Sequence, residues 1–433
     1  MVFKIGQGGW WQGSAKRQSR RQRAARRCGW FEAETLEVRT LLTSGPQDLL
    51  IYYGFPSLIN DAADVAAATA EFAPYEFVVL GATLEEPTHP DHANTQSIVS
   101  AAATDGTVFF GYVDLGVSTN NFSIAELQQK IDNWAATGVD GIFLDDFGYD
   151  FGVTRDRQNA AVDYIHSLGL PVAANGFFID EVFGDAVDPA FNPSGSGTHL
   201  VATDYYLYES YQVREGSVTT VTEWRNKADR LAAVRASLPI NVLAVTTDDS
   251  ADVFSQSQFD YVWYSALLDG FAAIGWGQYV FSSDDNAAPL RIPPSAVQAP
   301  DVVSPIARTG SVFGRVTETA IVQVDASAQS GRVLSAQSEP VFSGTENDDV
   351  LFVSYVAGVV EIRDEANVLL AEIPLAAGGS LTIDSGAGDD AVTVTSFDVA
   401  LTGGLHFRGG DGSDLITVNS HVELADDGDV TLA

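Results

Sequence analysis

The strongest constraint on the fold is a set of eight short apolar segments that recur about every 30 residues between residues 49 and 277. A buried strand of a parallel sheet reads as a short, nearly continuous apolar run, and about 30 residues make one strand–helix unit. The segments begin at Leu49, Phe77, Thr107, Asp140, Pro171, Leu200, Ile240 and Phe271. Eight such units predict an α/β fold of the (β/α)8 TIM-barrel type.

Helical patterns between the segments support this prediction. In one gap, Ile124, Leu127 and Ile131 follow a spacing of three and four residues, Ser123 suits the N-cap and Gly138 suits the C-terminal stop. An open doubly wound sheet is the alternative fold. Its first strand is often followed by a Gly-x-Gly-x-x-Gly turn, which this sequence lacks at that point.

The composition changes after the last apolar segment. Five prolines fall within residues 289–305 and indicate a linker. From residue 311, Val, Thr, Ser, Gly and Asp dominate, which favours short strands. We therefore predict a basic leader at 1–45, a barrel at 46–285, a linker at 286–310 and a β-rich C-terminal module at 311–433.

Charge is unevenly distributed along the chain. Residues 1–27 contain eight Lys and Arg and no acid, although the net charge of the whole chain is −35. So acidic a body repels nucleic acid and anionic membranes, and we predict neither as a partner. No apolar run is long enough to span a bilayer. Cys28 is the single cysteine, so the region after the leader has no disulfide of its own.

The end of the basic region carries a second signal. Residues 36–42 read Leu-Glu-Val-Arg-Thr-Leu-Leu. This segment resembles the Leu-Glu-Pro-Arg-x-Leu-Leu leader of many large exported bacterial proteins, with Val38 at the proline position. The resemblance implies a secreted or cell-surface protein. The alternative is a basic tail with a short amphipathic helix.

Polar side chains end several of the predicted strands, where a barrel keeps its chemistry. Asp145 and Asp146 end the fourth, Glu209 follows the sixth, Asp114 follows the third and Asn175 ends the fifth. Two carboxylates are what glycoside hydrolysis needs, one as acid and one as nucleophile or base. For any single acid, a helix N-cap or an arginine partner is the alternative role.

Aromatic side chains near the same strand ends would stack on sugar faces. We predict that the following residues bind substrate: the aromatic Tyr53, Tyr112, Tyr149, Tyr208 and Trp276, and the polar Asp114 and Asn175. The alternative for about half of the aromatic residues is an ordinary place in the core or in a loop.

Two segments give a specific family likeness. Gly111-Tyr112-Val113, and the run from Gly138 to Asp145 with Trp134 in the preceding helix, resemble the endo-α-1,4-polygalactosaminidase and spherulin-four-like glycoside hydrolases. Ala174-Asn175-Gly176 matches their fifth strand. The resemblance covers roughly residues 49–285. It implies Asp145 as nucleophile or stabiliser and Glu209 as general acid/base, although Asp204 competes for the second role.

The same resemblance implies hydrolysis of an α-linked amino-sugar polysaccharide, of the galactosaminogalactan kind, without a catalytic cofactor. Asp146 stands where relatives vary, and it either assists catalysis or solvates the rim. The alternative function is a non-catalytic, glycan-binding surface protein on a barrel scaffold. A further alternative is a metal-dependent hydrolase with His89, Asp91 and His92 as ligands, although a structural role for these residues is the more common one.

Three Gly/Asp segments recur in the C-terminal module, around Asp348, Asp390 and Asp414. The last, Gly409-Gly410-Asp411-Gly412-Ser413-Asp414, resembles the hemolysin-type calcium-binding repeat. That likeness implies calcium as a ligand of Asp390, Asp411 and Asp414. Ordinary β-turns are the alternative, because the intervals of 42 and 24 residues differ from the repeat's usual short period.

Overall fold

The structure is a computed structural model that describes most of the chain after residue 44. The described ranges are 45–104, 106–251, 253–282, 285–294, 305–316, 320–376, 378–397, 404–419 and 430–432. Apart from Gly45, the predicted leader at 1–45, with its basic residues and Cys28, lies outside the described residues. Within these ranges, no helix is both long and apolar enough to cross a membrane.

Eight parallel strands form a closed barrel, in the order β1-β10-β9-β6-β5-β4-β3-β2. Their bounds are β1 Gln47–Tyr52, β2 Phe77–Leu80, β3 Val108–Asp114, β4 Gly141–Asp145, β5 Val172–Ala174, β6 Tyr205–Glu209, β9 Asn241–Thr247 and β10 Ala273–Gly277. A short hairpin of β7 (Val213–Arg214) and β8 (Ser217–Val218) follows β6. The predicted barrel fold, with a β-rich region after it, is confirmed.

Helices cover the outside of the barrel. Their bounds are α1 Val65–Phe72, α2 His92–Ala102, α3 Ile124–Thr137, α4 Arg155–Ser167, α5 Ile179–Phe183, α6 Val221–Arg235 and α7 Gln256–Asp269. The predicted signals of α3 are present: Ser123 and Glu126 form a capping box, and Gly138 ends the helix with a φ of +93°. Side chains and a left-handed glycine thus satisfy the free backbone groups at both ends.

Alternate residues of each barrel strand face the lumen. The lumen core includes Leu49, Ile51, Phe110, Phe143 and Leu207. Their neighbours in sequence face outward and join the larger core between sheet and helices. This period of two decides which strand-end side chains reach the mouth of the barrel.

Residues after β10 complete the barrel wall instead of forming a free linker. A 3₁₀ turn, Tyr279–Ser282, follows the strand. Asn286 then accepts the Phe55 amide at 2.7 Å, and Ala288 exchanges hydrogen bonds with Asn60. The first residues of the predicted linker at 286–310 therefore belong to the barrel, and its last residues begin a strand.

An antiparallel sheet packs on the outer face of α6 and α7. Its strands are β11 Ala307–Thr309, β12 Val312–Val316, β13 Ala320–Asp325 and β14 Ser330–Ser335. The Phe313 ring lies 5.2 Å from the Trp224 ring, edge to face. Gly331 allows close contact, because a Cβ there would lie 2.2 Å from Tyr264. The first part of the module thus shares one apolar core with the barrel.

The rest of the module is a parallel roll of stacked turns. One sheet contains β15 Val341–Thr345, β19 Leu381–Gly386, β21 Leu405–Arg408 and β23 Val430–Leu432. The other contains β18 Leu369–Pro374, β17 Val359–Arg363, β16 Val350–Val356, β20 Ala391–Phe397 and β22 Leu415–Val418. The three Gly/Asp segments connect β15 to β16, β19 to β20 and β21 to β22.

The end of the barrel at which the strands begin contains a partly buried acid, Asp48, near the start of β1. Burial raises the pKa of Asp48 to about 7, and the charge of Glu76 adds to this effect. Because the folded pKa exceeds the unfolded one, the free energy of unfolding falls as pH rises from about 4 through about 7.

We therefore expect Asp48→Asn to raise the free energy of unfolding by roughly 1–3 kcal/mol at pH 8, after allowance for partial exposure, and by little at pH 4. Urea unfolding of both proteins at the two pH values measures this difference. An equal effect at both values would contradict the proposed burial cost.

Candidate active site

Two carboxylates meet at the C-terminal mouth of the barrel through one amide. Asn175, just beyond β5, uses its Nδ2 to donate to Oδ1 of Asp145 at 2.8 Å and to Oε2 of Glu209 at 2.9 Å. Both distances start at the same nitrogen, so the two oxygens lie within ~6 Å of each other, close to the spacing in retaining glycosidases. The three predicted residues form one cluster because β4, β5 and β6 are neighbours.

Tyr112 is the second polar partner of Asp145. Its hydroxyl hydrogen-bonds with the Asp145 carboxylate. Burial raises the pKa of Asp145, the hydrogen bonds from Tyr112 and Asn175 act in the opposite direction, and the charge of Glu209 raises it again. Asp145 is therefore a partly buried carboxylate held in one orientation, as a nucleophile requires.

Packing behind β3 fixes Tyr112. The Trp134 indole of α3 lies against Gly111, where a Cβ would meet the ring at 2.2 Å. The same indole donates from Nε1 to the Tyr112 carbonyl at 2.9 Å. The Gly-Tyr pair and the helical tryptophan of the sequence pattern thus have a joint role, which is to position the tyrosine that contacts Asp145.

Tyr53 completes the lumen side of the site. Its ring lies 5.6 Å from the Tyr112 ring and 5.7 Å from Phe281. Burial raises the pKa of Tyr53, and the charges of Asp145 and Glu209 raise it further. Tyr53 therefore stays a neutral hydrogen-bond donor at the mouth.

Phe281 was not predicted from the sequence. It lies in the irregular turn after β10 with a left-handed φ of +53°. The sequence predicts the strand before Phe281, but it carries no signal that the chain folds back over the barrel rim after that strand.

Asp146 occupies a strained position beside the pair. Its φ is +53°, a left-handed conformation that non-glycine residues rarely adopt. Burial raises the pKa of Asp146 to about 7, with further contributions from the charges of Asp145 and Asp114. A hydrogen bond with Thr119 opposes the shift. Asp146 is therefore a third acid that can carry a proton near neutral pH.

Asp114 is turned into its own loop. Its carboxylate accepts the Gly116 amide at 2.7 Å, the Thr119 hydroxyl at 2.8 Å and the Asn120 side chain. These contacts organise the loop between β3 and α3, which also provides the Thr119 partner of Asp146. Its predicted role in substrate binding thus gives way to a positioning role.

Three predicted aromatic residues lie away from the pair. Tyr149 stacks on Phe191 at 5.1 Å in the loop after β4. Tyr208 precedes Glu209 on β6, and its side chain faces the outer helices. The Trp276 side chain on β10 also faces the helices, and its Nε1 donates to Asp248 at 2.8 Å. Strand alternation turns Tyr208 and Trp276 from the lumen, so their predicted place at the lumen rim was wrong. Tyr208 instead lines a cavity on the outer side of Glu209.

The alternative metal site after β2 has other partners. Asp91 accepts the Ser57 amide and hydroxyl, at 2.9 and 2.6 Å, and the Asp91 amide donates to His89. His92 hydrogen-bonds with the Leu84 carbonyl. Across the described ranges, no group of three or more His, Cys, Asp or Glu could hold a metal ion. The His89–His92 segment therefore stabilises its loop.

The predicted calcium ligands link successive turns of the roll. The Asp349 amide donates to Asp390 at 2.8 Å, and the Asp390 amide donates to Asp414 at 3.1 Å. The stacked position in the first turn is thus Asp349, and Asp348 pairs with Asp389 instead, so the sequence alignment was wrong by one residue.

Asp411 is exposed, and one buried Asp390 oxygen has no hydrogen-bond partner. In the part of the chain that the structure describes, the acidic side chains of the turns do not form a metal-holding group. Calcium binding by Asp390, Asp411 and Asp414 stays a prediction.

Comparisons with known proteins leave the activity open. No family model and no curated protein matches the chain. Similar solved structures include the glycoside hydrolase domain of PelA from Pseudomonas aeruginosa, at 14% identity over 54% of this chain and 95% of that chain, with a TM-score of 0.34.

Two further structures show the same range of similarity. An endo-1,4-beta-mannanase from Rhizomucor miehei has 14% identity over 57% of this chain and 93% of that chain, with a TM-score of 0.33. A D-psicose 3-epimerase has 12% identity over 54% and 84%, with a TM-score of 0.32. Likenesses this weak, to enzymes with different activities, carry no argument for a reaction.

The packing of Trp134 on Gly111 gives a test of how the site is supported. Gly111→Ala should lower the free energy of unfolding by about 1–3 kcal/mol, because the new methyl group overlaps the indole. Gly197→Ala is a matched control, since no atom lies within 4 Å of a Cβ there. Urea unfolding of both variants makes the comparison, and equal effects would contradict the proposed packing.

Proposed function

We propose that the barrel is a glycoside hydrolase that cleaves an α-linked amino-sugar polysaccharide of the galactosaminogalactan kind. The observation that carries the proposal is the Asn175 amide, which donates to Asp145 and Glu209 together. Two carboxylates this close at the C-terminal mouth of a barrel suit acid/base and nucleophilic work on one glycosidic bond.

The environments of the two acids support different roles. Burial raises the pKa of Asp145 overall, and the hydrogen bonds from Tyr112 and Asn175 oppose that shift and fix the direction of its carboxylate. Glu209 is exposed at the end of β6, where a leaving group and water can reach it. In line with the family resemblance, the fixed Asp145 is the nucleophile, which attacks the anomeric carbon, and the accessible Glu209 is the acid that protonates the leaving oxygen.

After the glycosyl–enzyme bond forms, Glu209 takes a proton from water, and that water releases the sugar from Asp145. The short separation of the two carboxylates supports this two-step route, in which the anomeric configuration is retained. Inversion would need space for a water between the base carboxylate and the anomeric carbon, with the two carboxyl groups about 6.5–9.5 Å apart.

The acidity of the mouth supports an amino sugar as the substrate. Asp145, Asp146 and Glu209 surround one opening, and the charges of Asp145 and Glu209 both raise the pKa of Asp146. A sugar ammonium group placed there would be attracted by the carboxylates of Asp145 and Asp146, neither of which donates a proton in the proposed mechanism, and would favour their ionised forms. Export to the cell surface or medium, where such polymers occur, is part of the proposal.

Substitution of the two acids tests this function. We expect Asp145→Asn and Glu209→Gln each to lower kcat/KM on partly de-N-acetylated galactosaminogalactan by about 10³-fold or more, since each removes a reacting group. Asp163→Asn, an exposed change on α4, is the matched control and should leave the rate unchanged. Release of reducing ends measures the activity.

Two outcomes would overturn the proposal. Hydrolysis that survives both substitutions would exclude the Asp145–Glu209 pair. Polysaccharide binding without hydrolysis by the unsubstituted protein would favour the glycan-binding alternative.

A further inference from the structure

A cavity of about 630 Å³ adjoins the candidate acid Glu209 on its outer side. It lies between the loop after β5 and helix α6, and Phe177, Phe178, Glu209 and Lys227 are among the residues that line it. The volume is within the usual range for small-molecule sites. The mechanism above uses only Glu209 of these residues, so the rest of the cavity has no assigned role.

Lys227 is the unusual group in this cavity. Its ammonium lies 4.4 Å from the centre of the Tyr208 ring, 4.7 Å from Phe177 and 5.9 Å from Tyr206. No acceptor of the described chain is within hydrogen-bonding distance of its Nζ. Aromatic faces therefore stabilise the cation in part, while its N–H donors stay available to a bound molecule.

The carboxylates of the cavity, in contrast, already have donors. Arg230 forms an ion pair with Asp180. The backbone amide of Tyr149 donates to Glu181, and the side-chain amide of Asn175 donates to Glu209. With Glu223 and Arg214 included, four carboxylates and three cations line the cavity. The carboxylates belong to Asp180, Glu181, Glu209 and Glu223, and the cations to Arg214, Lys227 and Arg230. An anionic ligand would meet net repulsion, so the acceptor that suits Lys227 is a neutral one.

The open side of the cavity is aromatic. Phe177 and Phe178 are 45% and 49% exposed, and their rings make an edge-to-face pair at 5.1 Å. Exposed aromatic faces beside a carbohydrate-cleaving group suit the apolar faces of a sugar ring and a methyl group. Phe177 also contacts Lys227, so one wall offers an apolar surface and a hydrogen-bond donor together.

We propose that this cavity is a subsite for an N-acetylated amino-sugar residue, with the acetamido carbonyl accepting a hydrogen bond from Lys227 and the methyl group packing on Phe177. The inference rests on the proposed function, in that it assigns an acetylated unit to the position next to the bond cleaved. The preferred polymer is then one in which acetylated and free amino sugars alternate or mix.

The burial of Lys227 agrees with a polar but uncharged ligand. Desolvation lowers the pKa of Lys227 to about 8, and the charge of Glu209 limits the decrease. The lysine thus remains mostly protonated at pH 7, where it is a strong donor to a carbonyl oxygen.

Binding of monosaccharides to the full chain tests the subsite without any hydrolysis. N-acetylgalactosamine, galactosamine and galacturonate are compared by ligand-observed NMR titration. We expect N-acetylgalactosamine to bind tightest and Lys227→Met to weaken it about tenfold, the usual effect of losing a hydrogen bond to a charged donor. Arg408→Met, which removes one positive charge from an exposed position of β21, is the matched control and should leave the affinity unchanged.

Phe177→Ala is a second variant, exposed enough to leave the fold intact, and it should also weaken N-acetylgalactosamine binding. Equal affinities for the acetylated and free amino sugars, preference for galacturonate, or insensitivity to both substitutions would overturn the subsite. Acetamido binding that depends on Lys227 in a chain that hydrolyses nothing would retain the subsite and reject the proposed function. Hydrolysis by a chain whose acetamido binding does not depend on Lys227 would retain the proposed function and reject the subsite.

Discussion

A single side-chain amide holds together the chemistry of this barrel. Asp145 and Glu209 would repel each other if both were ionised at their separation, and burial of Asp145 increases that cost. The two N–H groups of Asn175 offset the repulsion, because each carboxylate receives one donor. This arrangement needs three adjacent strands in the observed register, so the site depends on the barrel as a whole.

The fold was predictable because its signal is periodic, and part of the site was predictable because strands end at one rim. The acids and Asn175 come directly after apolar runs, and they meet as expected. Tyr208 and Trp276 could have been rejected from the sequence as well. Tyr208 is adjacent to Glu209 on one strand, and alternation sends adjacent side chains to opposite faces.

Other features were beyond sequence reasoning for physical reasons. Lys227 of α6 meets aromatic rings of β6 and of the loop after β5, which are distant in the sequence, and Phe281 reaches the rim through strained backbone. In the roll, the interval between the first two turns is long because the hairpin of β17 and β18 is inserted between them. Stacking depends on register across the sheets, so unequal intervals still give aligned turns.

The sheet of β11–β14 has a consequence for where the folded unit around the barrel ends. Phe313 packs against Trp224 of α6, and α6 also carries Lys227 on the cavity wall. A chain truncated after the last barrel strand would expose the outer face of α6 to solvent and remove the packing that holds this helix in place. The folded unit therefore extends past the barrel strands, and the sheet of β11–β14 supports the helix that forms one wall of the cavity beside Glu209.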